Sequence, residues 1–254
     1  MLRVIISGIM GTMGKVVLSR CINNSQINVV AGVDLSSGSI ENIPVYSSFF
    51  ECEESADIVI DFSNPSNFDN LYNFCLANMI PVVICTTGFS EEQENKIKHL
   101  SQSVAVFKSA NMSLGVNLLA ALAKTAVSIL SEEFDIEIIE KHHRRKVDAP
   151  SGTALMLAKE INAVCDNRFH YIYERESARK SREDNEIGIH SLRGGTIVGD
   201  HEIIFAGNDE VITISHSASS RNVFATGAIS AALFLVSQKS GLFDMSAMIN
   251  SSLG

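Results

Sequence analysis

The fold is decided by the N-terminal stretch Arg3–Arg20, which has the sequence RVIISGIMGTMGKVVLSR. Its first five residues have the apolar run Val4–Ile6 at their centre and predict a buried strand, and residues 15–20 favour a helix. Between them, Gly8 permits a tight turn, Gly11 lets a pyrophosphate approach the backbone, and Gly14 lets the helix pack closely on the strand. The stretch therefore predicts a dinucleotide site on a strand, turn and helix.

A second strand, over residues 27–33, ends at Asp34, which lies 20 positions after Gly14. A carboxylate at this strand tip is placed to accept hydrogen bonds from the adenosine ribose, although a simple turn residue is the alternative. The next residues, Leu35, Ser36 and Ser37, include no Arg or Lys to hold a ribose phosphate. We therefore expect NADH or NADPH as cofactor, with NADH favoured.

Strands and helices continue to alternate through the first half of the chain. The pattern predicts strands over 56–61, 81–84 and 104–107, and helices over 67–78 and 91–101. Ser90 and Gln93 form a capping-box pattern at the start of the last helix. Repeated units of this kind predict an α/β fold of Rossmann type, a parallel sheet whose ligands bind at the carboxyl ends of its strands.

Most of the chemistry lies in residues 136–154, IEIIEKHHRRKVDAPSGTA. The stretch begins as a strand, in which Ile139 is expected to break the alternation and turn inward, and it ends in a helix start after Pro150. Cations that face a helix N-terminus can bind a carboxylate through the backbone N–H groups of Gly152 and Thr153. Because imidazole exchanges protons near neutral pH, the site is also suited to catalysis.

One simpler interpretation of these residues remains, and a metal site is not favoured. A basic run is often a solvated surface loop, which is the alternative to the anion site. A metal is not expected, because adjacent imidazoles on a strand point to opposite faces and no Cys or carboxylate has a suitable spacing.

The composition of the chain argues against some classes of function. The chain has 254 residues, 46% hydrophobic and 19% charged, and a net charge of −9, which argues against binding nucleic acid or an anionic membrane. Cations at 141–146 would steer a doubly negative ligand to one place. Five cysteines without a C-x-x-C pair predict reduced thiols in the cytoplasm, no targeting segment is evident, and the apolar run 229–236 is too short for a membrane span.

The second half of the chain has a different pattern. After a helix over 115–124, the charged segment 173–186 is expected to be a solvated loop, with a mobile lid or an inter-subunit arm as the alternative. Short strands separated by glycine turns then predict antiparallel pairing in an open sheet, and a long apolar helix follows. These elements are expected over 187–192, 196–198, 202–205 and 211–215, and over 223–236 for the helix.

Residues 140–154 resemble the signature E-x-H-H-x-x-K-x-D-A-P-S-G-T-A of the dihydrodipicolinate reductase family, with every fixed position present. Further likeness extends over essentially the whole chain and is weakest at 165–186. It is carried by DFSNP at 61–65, CTTGF at 85–89, SANMS at 109–113, RGGTIVGDH at 193–201, ASSR at 218–221 and GLFDM at 241–245. Cys85 stands where the family has Gly.

The resemblance implies reduction of 4-hydroxy-tetrahydrodipicolinate (dihydrodipicolinate) to tetrahydrodipicolinate in lysine and diaminopimelate biosynthesis. His142 would be the catalytic acid, assisted by Lys146. The dicarboxylate would be held by His143, Lys146, Ser151, Gly152, Thr153 and Arg221. The cofactor would be held by Gly8, Ile9, Met10, Gly11, Thr12, Met13, Asp34, Cys85, Thr86, Thr87, Ser109, Ala110, Asn111 and Met112.

The same resemblance divides the chain into domains. Residues 1–112, completed by 222–254, would form the dinucleotide-binding domain, and 113–221 a smaller α+β domain with an open mixed or antiparallel sheet. A homotetramer would assemble through that sheet. Two other functions stay open: a nucleotide-binding sensor that does no chemistry, and another two-domain dehydrogenase acting on an aldehyde or an amino acid.

Overall fold

A computed structural model of the chain describes residues 1–130, 133–177 and 179–253. The fold divides into two compact units, Met1–Ser113 with Asn222–Gly254, and Leu114–Arg221. Among the described residues, every helix is too short or too polar to cross a lipid bilayer.

The described residues form strands and helices in the following order. The strands are β1 Leu2–Ser7, β2 Ile27–Val33, β3 Gly38–Ile40, β4 Ile43–Tyr46, β5 Ile58–Asp61, β6 Val82–Ile84, β7 Ala105–Lys108, β8 Asp135–His142, β9 His170–Ile172, β10 Glu186–Arg193, β11 Gly199–Ala206, β12 Val211–Ala218 and β13 Gly241–Phe243. The helices are α1 Thr12–Ile22, α2 Phe68–Asn78, α3 Glu91–Leu100, α4 Leu114–Leu130, α5 Gly152–Ala163, α6 Asn222–Leu235 and α7 Met245–Leu253.

The first unit contains an eight-stranded sheet in the order β13-β7-β6-β5-β1-β2-β4-β3. Its strands pair in parallel except for β3, which runs antiparallel to β4. The α/β fold of Rossmann type is therefore confirmed, and so is the capping box of Ser90 and Gln93. Strands β3, β4 and β13 and helix α7 were not predicted; these strands are only three or four residues long and show little periodicity.

Both faces of this sheet are buried, because each successive residue of β1 enters a different core. Val4 and Ile6 pack with residues of α1 and α6 such as Val17 and Ala228. Ile5 packs on the other face with residues of α2 and α3. Burial on both faces explains why the strands of this unit are continuous apolar runs.

The second unit contains a five-stranded sheet in the order β12-β11-β8-β10-β9. Strand β10 pairs in parallel with β8 and β9, whereas β11 pairs antiparallel with β8 and β12. The predicted second sheet is therefore confirmed as a mixed one: β11 and β12 pair antiparallel, whereas β8 and β10 pair in parallel. The strand predicted at 196–198 was wrong: these residues belong to the turn after β10, and β11 begins at Gly199.

Strand β8 keeps a regular alternation along its length. Ile136, Ile138, Glu140 and His142 are buried on one face, whereas Ile139 is only half-buried on the other face. The expectation that Ile139 turns inward was wrong, because β8 is paired on both sides in an unbroken register and its pleat is maintained.

The charged segment 173–186 has no helix or strand before Glu186, but it is not simply solvated. Arg175 contacts Glu137 at 2.7 Å and Glu186 at 2.5 Å, and Arg182 contacts Asp135 at 2.7 Å and the Glu186 carbonyl at 2.6 Å. Two arginines thus bind the segment to residues of β8 and β10. These contacts are distant in sequence, so the local pattern does not predict them. Ala178, within the segment, lies outside the described residues.

Candidate active site

The glycine-rich turn after β1 has the close contacts that its sequence predicts. Gly8 has a φ of +77°, and a Cβ there would lie 2.5 Å from the Phe62 carbonyl oxygen. A Cβ on Gly14 would lie 2.0 Å from the Gly8 carbonyl oxygen. Gly11 is the residue before α1, and it has no side chain that could cap the first backbone N–H groups of this helix. The turn therefore offers bare helix N–H groups to an anion such as a pyrophosphate.

Asp34 is tied to this turn. Its carboxylate accepts hydrogen bonds from the backbone N–H groups of Met10 and Leu35, both at 2.8 Å. Gly8, Gly11 and Asp34 line a cavity of about 400 Å³ together with residues of the loop after β5. The position and acceptor chemistry of Asp34 fit the ribose of a dinucleotide.

A second cavity of the first unit, of about 320 Å³, lies beside the loops that follow β6 and β7. Thr86 and Thr87 line it from one loop, and Ser109 and Ala110 from the other. Because β1, β5, β6 and β7 are parallel neighbours, their loops meet at one edge of the sheet. The residues present therefore fit a nicotinamide dinucleotide.

Not every predicted cofactor residue offers its side chain. Ile9 is fully buried and Met112 is 5% exposed, and both side chains belong to the hydrophobic core, so these two residues could contact a cofactor only through backbone. Burial, together with the nearby Asp61, raises the pKa of the Cys85 thiol well above its usual value. Cys85 is therefore a neutral, apolar replacement for the family's Gly.

The chemistry of the second unit centres on the carboxylate of Glu140, which is fully buried. His142 Nδ1 lies 2.6 Å from Glu140 Oε2, and both terminal nitrogens of Arg193 donate to the carboxylate, at 2.7 and 2.8 Å. The backbone N–H of Ser151 donates to it at 3.0 Å. Burial alone would raise the pKa of Glu140, but the hydrogen bonds from Arg193, His142 and Ser151 outweigh it and hold the pKa at about 2.

The start of α5 lies against this group, as the sequence predicts. One N–H group of its first turn is already used, however, because the Ser151 hydroxyl accepts a hydrogen bond from the Ala154 N–H at 3.1 Å. The same hydroxyl lies 3.1 Å from Nε2 of His201, a buried residue of β11. Burial, followed by the charge of His142, lowers the pKa of His201 to about 4, so His201 is neutral at physiological pH.

The other predicted substrate residues differ in their surroundings. Lys146 pairs with Asp148 at 2.8 Å, and a Cβ on Gly152 would meet nothing within 4 Å, so the backbone there is open to a ligand. His143 is half-buried, and its Nδ1 has no hydrogen-bond partner within the described parts of the chain. Arg221 is exposed just before α6, outside the hydrogen-bonded group around Glu140.

One cation of the basic run lies elsewhere. Lys141 is on the face of β8 opposite to His142, where it lies 3.7 Å from Glu202. The expectation that all the cations of 141–146 gather at one place was therefore wrong for Lys141, because neighbouring residues of a strand point to opposite faces.

Three residues of the group were missed as site residues from the sequence: Glu140, Arg193 and His201. The spacing of two between Glu140 and His142 places them on one face of a strand and was a usable signal. Arg193 and His201 reach the group through β10 and β11, whose register the sequence does not fix.

Comparison with known proteins identifies the family. A sequence model described as the N-terminus of dihydrodipicolinate reductase matches residues 2–112, and one described as its C-terminus matches residues 115–249. The chain belongs to the dihydrodipicolinate reductase family. As a member of this family, it is an NAD(P)H-dependent oxidoreductase.

Individual relatives agree with this assignment. The chain is 52% identical over 249 residues to the 4-hydroxy-tetrahydrodipicolinate reductase of Caldanaerobacter subterraneus, with 98% of each chain covered. It is 46% identical over 251 residues to the enzyme of that name from Clostridium tetani, covering 99% of this chain and 98% of the other. A solved structure, dipicolinate-bound dihydrodipicolinate reductase from Paenisporosarcina, matches with a TM-score of 0.82 and 28% identity, covering 96% of this chain and 97% of the other.

Proposed function

We propose that the protein reduces 4-hydroxy-tetrahydrodipicolinate to tetrahydrodipicolinate in lysine and diaminopimelate biosynthesis, with NADH favoured over NADPH. The observation that carries the proposal is the hydrogen-bonded group of Glu140, His142 and Ser151 at the start of α5. It places a proton donor beside the start of α5, where the open backbone at Gly152 can bind a carboxylate, and reduction of an anionic, unsaturated ring requires both.

The cofactor would bind to the first unit. Gly8, Gly11 and the start of α1 would hold the pyrophosphate, Asp34 the adenosine ribose, and the loops of Thr86, Thr87 and Asn111 the nicotinamide half. When bound, the reduced nicotinamide supplies the hydride. The preference for NADH rests on Leu35, Ser36 and Ser37, which carry no positive charge opposite a ribose phosphate.

The dicarboxylate would bind to the second unit. The open backbone at Gly152, with Thr153, would hold one carboxylate at the helix N-terminus. Lys146 and His143 would hold the other and neutralise it, with Ser151 positioning the turn. Arg221 is assigned to the substrate only by likeness to the family's ASSR segment.

The ring must also gain a proton, and we assign this step to His142. It is 9% exposed and therefore removed from most of the solvent, and an imidazole can give up a proton at neutral pH. Lys146 would assist by neutralising charge beside the ring.

The protein would act as a cytoplasmic homotetramer. All five cysteines are free, which suits a reducing compartment. The face of the second sheet that carries Ile139 and Ile204 is not buried by its own unit, and β12 is an edge strand. Because an uncovered sheet face is a common place for association, this face is the proposed interface. Light scattering after gel filtration would give the mass in solution.

The function is tested by mixing the protein with NADH and enzymatically generated substrate and following the absorbance of the reduced cofactor. The proposal predicts substrate-dependent oxidation of NADH. An amino-acid or aldehyde dehydrogenase would oxidise the cofactor only with its own substrate, and a sensor would bind both ligands without turnover. Dipicolinate, a planar dicarboxylate that cannot turn over in the same way, should inhibit competitively with substrate.

A further inference from the structure

The second unit contains a buried carboxylate that the proposed reaction does not use directly. Glu140 is completely buried, and four groups reach its two oxygens: His142, the two terminal nitrogens of Arg193, and the backbone N–H of Ser151. A buried carboxylate with this many partners is held in one position.

The donors around Glu140 fix the hydrogen on His142. The guanidinium of Arg193 and the backbone N–H of Ser151 can only donate, so the carboxylate accepts from both. A carboxylate that is ionised offers no hydrogen to Nδ1, which must therefore carry its own and donate it to Oε2. The remaining ring nitrogen, Nε2, is then the atom that can meet a substrate.

The environment of Nε2 agrees with this assignment. A Cβ on Gly199 of β11 would lie 3.1 Å from Nε2, so the glycine leaves space beside this atom. On the other side, the neutral His201 ring packs edge-on against His142, with ring centroids 5.3 Å apart. Lys146, in the loop that follows β8, is paired with Asp148 at 2.8 Å.

We infer that Glu140 is a positioning residue for the acid: its carboxylate holds the Nδ1–H of His142, directs Nε2 to the substrate ring, and stabilises the imidazolium whose Nε2–H is the proton delivered. Arg193 holds Glu140 in turn, and its contact with the Asp148 carbonyl at 2.7 Å ties both to the loop that carries Lys146. The inference rests on the proposed role of His142 as the acid.

The negative charge of Glu140 should affect the pH dependence of kcat. The groups that face His142 are Glu140 on its own strand, Arg193 on β10 and His201 on β11. Of these, Glu140 is the negative one. Removing its charge, as in Glu140→Gln, should therefore move the alkaline limb of the kcat profile to lower pH.

The test compares Glu140→Gln with Glu140→Asp and with a matched control, Glu137→Gln. Glu137 lies on the same strand and is also held by an arginine and a histidine, Arg175 and His190, but on the opposite face from His142. We expect Glu140→Gln to lower kcat on the order of 10²-fold and to move the alkaline limb downward, and Glu140→Asp to restore part of both. A Glu140→Gln profile that matches the wild type, with no greater loss than the control, would overturn the inference.

A measurement on the wild-type protein covers the case in which Glu140→Gln does not fold. The ¹⁵N shifts of the His142 ring, assigned by comparison with His142→Gln and recorded at a pH high enough to deprotonate the imidazolium, should show the hydrogen on Nδ1; a neutral ring with its hydrogen on Nε2 would refute the inference. This readout does not depend on turnover. If His142→Gln has normal kcat, the acid role fails while the ring assignment still tests the positioning by Glu140.

Discussion

The Nδ1 atom of His142 lies 2.6 Å from Oε2 of Glu140, two residues earlier on the same strand. His143, one residue further on, has the opposite parity and cannot join this pair. The two adjacent imidazoles therefore have different surroundings: one is hydrogen-bonded to a buried carboxylate, whereas the Nδ1 of the other has no hydrogen-bond partner among the described residues. This difference separates the proposed acid from the proposed substrate ligand.

Replacing Lys146 by alanine should lower kcat and raise the substrate KM together. The reason is that the ammonium would both hold a carboxylate and neutralise charge as the ring is reduced. The control is Lys141→Ala, which removes the same charge from the other face of β8, where it faces Glu202. Steady-state kinetics would distinguish the two, and a Lys146→Ala protein that loses only thermal stability would contradict the clamp role.

Replacing Gly199 by alanine should crowd the acid. The new Cβ would lie 3.1 Å from His142 Nε2, and the ring cannot easily move away because Glu140 holds its other nitrogen. We expect a loss of kcat of roughly tenfold or more with unchanged affinity for NADH. Gly194→Ala is the control, since a Cβ there meets nothing within 4 Å. Equal kinetics for the two variants would mean that the space beside Nε2 is not used.

Stability should decrease in mild acid because of His201. The folded protein holds this residue neutral down to about pH 4, whereas the unfolded chain takes up the proton near 6.5. The stability contributed by the neutral ring is therefore fully present above pH 6.5 and is lost as the pH falls to about 4. A loss on the order of 3 kcal/mol at most follows from a shift of this size.

Urea unfolding across this pH range would measure the effect. In His201→Gln, the free energy of unfolding should change less between pH 6.5 and 4 than in the wild type. His99→Gln, which alters an exposed histidine of α3, should show the same change with pH as the wild type. An unchanged slope in His201→Gln would show that another group titrates.

Adding a cation after β2 should change the cofactor preference. Leu35 is 93% exposed and follows Asp34, so Leu35→Arg places a guanidinium where a ribose phosphate would lie. We expect wild-type protein to have the lower KM for NADH and Leu35→Arg to lower the KM for NADPH. Leu35→Gln supplies a polar side chain without charge as the control. A wild-type preference for NADPH would contradict the assignment.

Much of the first unit could be predicted from its sequence, because its strands are buried on both faces and its turns carry glycine. Gly8 and Gly14 illustrate this: each permits a contact with backbone that no side chain would allow. Strands β3, β4 and β13 were missed, since segments of three or four residues gain their structure from pairing with a neighbour and not from local pattern.

The second unit was less predictable, because its site depends on strand register. Arg193 lies opposite His142, and His201 lies opposite Glu140, on strands more than fifty residues further along the chain. The local sequence indicated the imidazoles and the helix start but not the groups that hold them. The cap of α5 was also not predicted, although Ser151 is a common N-cap residue.

The central claim is that His142 delivers the proton when the ring is reduced, and it is tested most directly by the kcat of His142→Gln with NADH and saturating substrate. The account predicts a loss of about 10² to 10⁴, with the Kd for NADH, measured by fluorescence titration, close to that of the wild type. A His142→Gln protein with wild-type kcat would contradict it.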